Sequence, residues 1–136
     1  TNPEVSSVRD SDRVLGLLDA KTRRAEQGIA MKCQLLVTRY CPERAARGEM
    51  LDVESILELL GIEFLGVIPE SQSVLNASNQ GCPVILERES DAEQAYMDVI
   101  RRFVGEEQPH RFIEMEKRGF FSRLFSGAPR DAYAGG

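Results

Sequence analysis

Three places in this 136-residue chain gather residue types that do chemistry. Thr38-Arg39-Tyr40 closes one short apolar run, Leu35-Leu36-Val37, and Pro69-Glu70 closes another, Phe64 to Ile68. Such exits suit a ligand held at the carboxyl edge of an open α/β sheet, where ligands gather. They also read as ordinary strand ends. Asn2-Pro3-Glu4 through Asp12 concentrates Glu4, Ser6, Ser7, Asp10 and Asp12. These carboxylates either complement a helix N-terminus or serve a site on that same edge.

The third place is Lys117 to Phe125. Wound as a helix, it sets Phe120, Phe121, Leu124 and Phe125 on one face, beside Lys117, Arg118 and Arg123. No acid interrupts it, so it is locally basic within a chain of net charge −5. A short basic segment with large apolar groups suits a helix lying on an anionic membrane. The alternative is a terminal helix docked on its own domain. Gly119 and the lack of any further core-like element favour the membrane.

Other chemistry is excluded. No phosphate-cradling glycine loop, no GxGxxG and no GxSxG occurs in these residues. His110, the one histidine, stands beside Pro109 in a polar stretch and reads as a surface residue. Cys33, Cys41 and Cys82 lack CxxC spacing, which argues against a disulfide framework and a thiolate zinc site and for a reducing, cytoplasmic setting. The acidic balance argues against nucleic-acid binding by bulk charge. No apolar run approaches the roughly 20 residues of a membrane span, and no secretory signal opens the chain.

The positioning elements follow from local pattern. A first helix is expected from Ser6 or Ser7, capped by a serine hydroxyl, with Val14, Leu15, Leu17 and Leu18 buried and Lys21, Arg23 and Arg24 near its end at Gly28. Cys33 to Thr38 is expected as a strand buried on both faces, followed by a polar loop, Arg39 to Gly48. A helix from Asp52 carries Val53, Ile56, Leu57 and Leu60 and stops at Gly61. Phe64 to Ile68 is a second strand, ended by Pro69. A short helix spans Gln72 to Ser78. The last helix opens on Ser90 with Glu93 as a capping box and buries Ala92, Ala95, Tyr96, Val99, Ile100 and Phe103.

Strand, helix, strand in this order is a parallel crossover, yet parallel strands need further strands beside them. Thr1 to Glu4 itself reads like the exit of a strand whose body is missing. The expected fold is therefore the C-terminal part of a doubly wound parallel-sheet α/β protein.

Four stretches in order carry a resemblance to a known family: TNPEVSSVRDSDR (Thr1 to Arg13), LLVTRY (Leu35 to Tyr40), GVIPESQSVLNASNQG (Gly66 to Gly81) and RFIEMEKRGFFSRLF (Arg111 to Phe125). They resemble the C-terminal half of the MinD family of septum site-determining, deviant P-loop ATPases. The resemblance implies residues 1–109 as half of an ATPase domain, 110–127 as an amphipathic membrane tail and 128–136 as a terminus outside the match. It implies ATP with Mg2+ in the intact protein and an ATP-dependent homodimer. A MinC-type inhibitor, a MinE-type regulator and anionic lipids on the cytoplasmic face of the inner membrane are the implied partners. By position, Thr38, Arg39 and the main chain of Pro69 would meet the adenine, and Glu4 would reach nucleotide across the dimer. Ser6, Asp10, Asp12 and Asn79 would sit where partners dock. Two other readings remain, a partitioning-type ATPase fragment and a non-enzymatic membrane-surface adaptor.

Since the phosphate loop is not among these residues, the isolated 136-residue chain is expected to show no ATPase activity and little nucleotide affinity. Titration calorimetry checks this, and micromolar affinity would contradict it.

Overall fold

The computed structural model describes residues 1–21, 26–28, 32–86 and 90–114. Its centre is a pair of parallel strands, β1 (Gln34–Tyr40) and β2 (Glu63–Pro69), paired from Gln34 opposite Glu63 to Tyr40 opposite Pro69, with register shifts between Leu35 and Leu36 and between Thr38 and Tyr40. Parallel strands require a crossover, supplied here by α2 (Pro42–Ala46) and α3 (Val53–Leu60). Both ends of α3 are set by local chemistry. Asp52 accepts the Ser55 amide at 2.7 Å, and Gly61 takes the left-handed conformation that lets its amide reach the Leu57 carbonyl at 2.9 Å. The expected polar loop after β1 contains α2 instead. Pro42 suits its first turn, where a missing N–H costs nothing.

Side chains alternate across the two strands, as strand geometry demands. Leu35, Val37 and Val67 point to one face, where Val8, Val53, Ile56 and Leu60 cover them. Val37 and Ile56 are wholly buried. Leu36 and Ile68 point to the other face, against Ala95 and Val99 of α5 (Asp91–Phe103). That helix begins as expected, with the Ser90 hydroxyl accepting the Glu93 amide at 3.0 Å. Between β2 and α5 lie α4 (Gln72–Gln80) and a single 3-10 turn, Val84–Leu86.

Two expectations about helix faces need correction. The first helix, α1 (Val5–Lys21), starts before Ser6, and Ser7 is bonded backwards rather than used as a cap. Its Oγ accepts the Asn2 amide at 3.1 Å and shares a hydrogen bond with Thr1 Oγ1 at 3.0 Å. Only Val8 is buried, with Leu15 packed beside it, whereas Val14 and Leu17 are each 53% exposed. A helix laid against so narrow a sheet covers one line of side chains, and the rest of its apolar stripe faces outward. The same holds for α5, whose Ala92, Ala95 and Val99 are buried but whose Ile100 and Phe103 are exposed. Arg23 and Arg24 lie outside the described residues.

The first residues act as a short third line beside β1. The Thr1 amine donates to Leu36 O at 3.0 Å, and the Thr38 amide donates to Thr1 O at 2.9 Å. One residue bonded to both neighbours of the residue opposite is the parallel-ladder pattern. Pro3 is buried next to it and its carbonyl accepts the Leu51 amide at 2.9 Å.

Small residues let α5 lie close to β2. Gly66, with φ of 155°, faces Val99 and Arg102, and a Cβ there would stand 3.1 Å from Val99 Cγ2 and overlap Arg102 Nη1. Gly66→Ala is therefore expected to cost about 1–3 kcal/mol through backbone strain and overpacking. Urea unfolding measures this, and an unchanged midpoint would mean that α5 yields freely.

Candidate functional site

Both strands run the same way, so their exits share one edge. At that edge Arg39 adopts a left-handed φ of 59°, which breaks the alternation of β1 just before Tyr40 turns inward. The Arg39 side chain stays in solvent, 66% exposed, with Nη2 3.8 Å from Glu70 Oε1. Glu70 also faces Arg44, whose Nη1 lies 3.3 Å from Oε2. Arg44 continues to Glu49 at 3.5 Å, and Arg47 closes the series on Glu49 at 2.6 Å. Exposed pairs of this kind add little stability. Their effect is to orient side chains, Arg39 among them. The main chain fixes the same corner, since the Glu70 amide donates to Tyr40 O at 2.8 Å.

Beneath this network, a cavity of about 250 Å³ is lined by Tyr40, Pro42, Pro69 and Glu70, with Phe112 and Glu114 from the far end of the described chain. Burial, and after it the negative charge of Asp52, pushes the Tyr40 phenol above its ordinary pKa, so it stays protonated at neutral pH. A larger hollow of about 670 Å³ opens at the other end of the strands, beside Gln34, Glu63 and His110. Size does not decide between them. Ligands of parallel α/β sheets collect at strand carboxyl ends, and of these two the smaller lies there, next to a further hollow of about 370 Å³ against Tyr40 and Pro42.

The remaining expected site residues are placed as follows. Thr38 is half-buried and its hydroxyl donates to Asn2 Oδ1 at 2.8 Å, which joins β1 to the segment leading into Glu4. Glu4 and Ser6 are exposed at the start of α1. Asp10 is exposed and paired with Arg13 at 3.2 Å. Asp12 is exposed too, and borders a hollow with Gly61, Ile62 and Glu63 at the amino end of the strands. Asn79 sits apart, exposed near the end of α4. Thus Thr38, Arg39 and Pro69 share the carboxyl edge, with Glu4 near it, while Asp12 and Asn79 belong to other surfaces. Lys117, Arg118, Phe120, Phe121, Arg123, Leu124 and Phe125 lie outside the described residues. The pairing of Arg39 with Glu70, and of Glu70 with Arg44, is not legible in the sequence. Their separation in sequence hides the pairing, although a Glu following Pro69 at a strand exit was its one visible sign.

Among the described residues, no group of three or more His, Cys, Asp or Glu is placed to hold a metal. None of the described helices is long and apolar enough to cross a membrane.

Comparison with known proteins agrees with this architecture, although no family model matches the chain. The septum site-determining protein MinD of Escherichia coli K12 is 62% identical over 128 residues, which is 93% of this chain. The MinD cell division protein of Aquifex aeolicus superposes with a TM-score of 0.71 at 40% identity, over 82% of this chain and 44% of that one. The MinC:MinD complex from the same organism gives 0.69 at 40% identity, over 80% and 42%. A MinD from Pyrococcus horikoshii OT3 complexed with Mg-ADP gives 0.58 at 25% identity, over 77% and 40%. The fold is therefore the C-terminal part of a doubly wound P-loop NTPase. Within that class, the chain belongs to the MinD family and corresponds to the C-terminal half of its members. It spans 47% of the Escherichia coli relative.

Because Thr38 ties β1 to the first residues, Thr38→Val is expected to cost about 0.5–1.5 kcal/mol, the worth of one hydrogen bond. Amide exchange at Asn2 and Thr38 should rise with it. Unchanged exchange would show that the main-chain ladder alone holds this corner.

Proposed function

We propose that this chain is the C-terminal portion of a membrane-associated MinD-type ATPase that helps place the bacterial division septum. In this reading the intact protein dimerises around ATP, binds the inner membrane and recruits a MinC-type division inhibitor, and a MinE-type regulator triggers release. The observation that carries it is the meeting of the Thr38–Tyr40 and Pro69–Glu70 exits on one edge of a parallel sheet, in a chain 62% identical to a MinD.

The residues on that edge fit an adenine. Arg39 offers a planar guanidinium, held loosely by Glu70, that can lie against an aromatic base. Thr38 and the main chain of Pro69 complete the base side. Glu4, exposed at the start of α1, reaches toward the nucleotide of a second copy. The triphosphate and Mg2+ fall to residues of the other half of the domain. On α1, the exposed Ser6 and Asp10 offer one polar contact for partner proteins, and Asp12 and Asn79 offer others on separate surfaces in this reading.

Attachment rests on the sequence of Lys117 to Phe125. Three bases near an anionic surface contribute about 1 kcal/mol each. Partial burial of Phe120, Phe121, Leu124 and Phe125 adds to this, and ordering the segment costs about 1–2 kcal/mol per residue. One tail is then marginal. Two in a dimer bind firmly, because the second insertion is effectively intramolecular. ATP-dependent dimerisation thereby becomes a membrane switch.

Three substitutions in the full-length protein separate the parts. Arg39→Ala is expected to weaken binding of a fluorescent ATP analogue by about 1 kcal/mol, the worth of a cation–π contact. Asp10→Ala should reduce capture of the MinC-type partner and leave vesicle binding intact. Phe121→Glu should abolish sedimentation with anionic vesicles, while salt weakens the parent's binding only in part. Parent-like behaviour of all three variants would sink the proposal.

A further inference from the structure

After α5 the described chain does not leave the body but runs back along it. Arg102 donates to Leu65 O from Nη1, to Gln108 O from Nε at 3.4 Å and to Pro109 O from Nη2 at 3.1 Å. The His110 ring packs on Phe64 with centroids 4.8 Å apart. Arg111 follows, its Nε 3.4 Å from Oδ2 of Asp98, a carboxylate only 3% exposed. The contact is an ion pair rather than an aligned hydrogen bond. Phe112 then takes a left-handed φ of 65° and packs against both core clusters. Ile113 and Glu114 end beside Tyr40 and Pro42.

Residues 106–114 are thus a strap that starts at the amino end of the strands and ends at the carboxyl edge. Asp98 is an odd choice if covering the core were its whole purpose. A carboxylate with its charge out of water is costly, and an apolar pair would cover α5 as well. What an ion pair adds is register, because one arginine fits one place. Arg102 holds residues 108 and 109, and Asp98 holds 111. Glu114 is then fixed at the cavity that Glu70 and Pro69 line. In the sequence, Glu114 stands three residues before Lys117.

We infer that Asp98, through Arg111, is a positioning residue that sets the root of the basic and aromatic tail at the nucleotide edge of the sheet, so that the two tails of a dimer meet an anionic lipid surface in a fixed spacing. The inference rests on the reading of Lys117 to Phe125 as a membrane anchor. Spacing matters because the gain from a second tail depends on how closely its position is confined.

The test uses the full-length protein with ATP and vesicles of phosphatidylglycerol and phosphatidylethanolamine. Asp98→Asn removes the buried charge and leaves Arg111 to solvent. The Asp98→Asn/Arg111→Gln double variant removes both members of the pair, leaves Arg102 on its three carbonyls, and serves if the single variant folds poorly. Arg111→Lys keeps the pair. In the first two, ATP-dependent dimerisation by ultracentrifugation should stay unchanged and amide exchange across 108–114 should rise. Vesicle affinity should fall by roughly three- to tenfold, and Arg111→Lys should restore most of it. Parent-like vesicle affinity despite faster exchange in the strap would overturn the inference, as would loss of dimerisation in step with vesicle binding. Phe121→Glu is run alongside. If it still sediments with vesicles, the anchor reading itself fails, and if it does not, a null result for Asp98→Asn counts against the positioning role alone.

Discussion

Two parallel strands cannot be closed by a tight turn and gain little from each other alone, so everything around β1 and β2 serves to hold that ladder. The crossover through α2 and α3 returns the chain to the starting end of the sheet. Ile56, Val53 and Leu60 then seal one face over Leu35, Val37 and Val67. On the other face the seal is thinner. Ala95 and Val99 let α5 approach Gly66, and Arg102 fills the remaining gap with a charge bonded to three carbonyls. Thr1 completes the arrangement by pairing along the free side of β1.

The ladder also decides where chemistry is possible. Its amino end holds the larger hollow, lined by the start of the strap, where burial together with the nearby Arg102 lowers the His110 pKa. Its carboxyl end carries the left-handed Arg39, the Glu70 branch point and a small cavity. The same direction of the strands brings the far end of the described chain to that edge, through Phe112 and Glu114. In the proposed ATPase, base recognition and the origin of the membrane tail are neighbours because a single parallel pair sets both.

Local signals were readable from sequence. Asp52 with Gly61, and Ser90 with Glu93, bound their helices as expected, since caps act within three or four residues. Strand exits were readable too, because an apolar run that ends in Thr38-Arg39 or Pro69-Glu70 marks an edge whatever surrounds it. Burial of helix faces was read less well. Val14, Leu17, Ile100 and Phe103 have the spacing of a core stripe, yet exposure depends on how wide a surface the sheet presents. Long-range polar ties were invisible. Nothing near Asp98 announces Arg111, and nothing near Arg44 announces Glu70, because each pairing exists only once the fold brings it together. Ser7 shows the converse: its type suits a cap, but it lies inside the first turn of α1 and its hydroxyl accepts the Asn2 amide instead.

The central claim is that the base of a nucleotide sits at the carboxyl edge formed by β1 and β2. Photo-crosslinking the full-length protein with 8-azido-ATP, followed by peptide mass spectrometry, tests it directly. The account predicts label on peptides containing Thr38–Tyr40 or Pro69–Glu70, competed away by ATP. Competed label confined to other parts of the protein would contradict it.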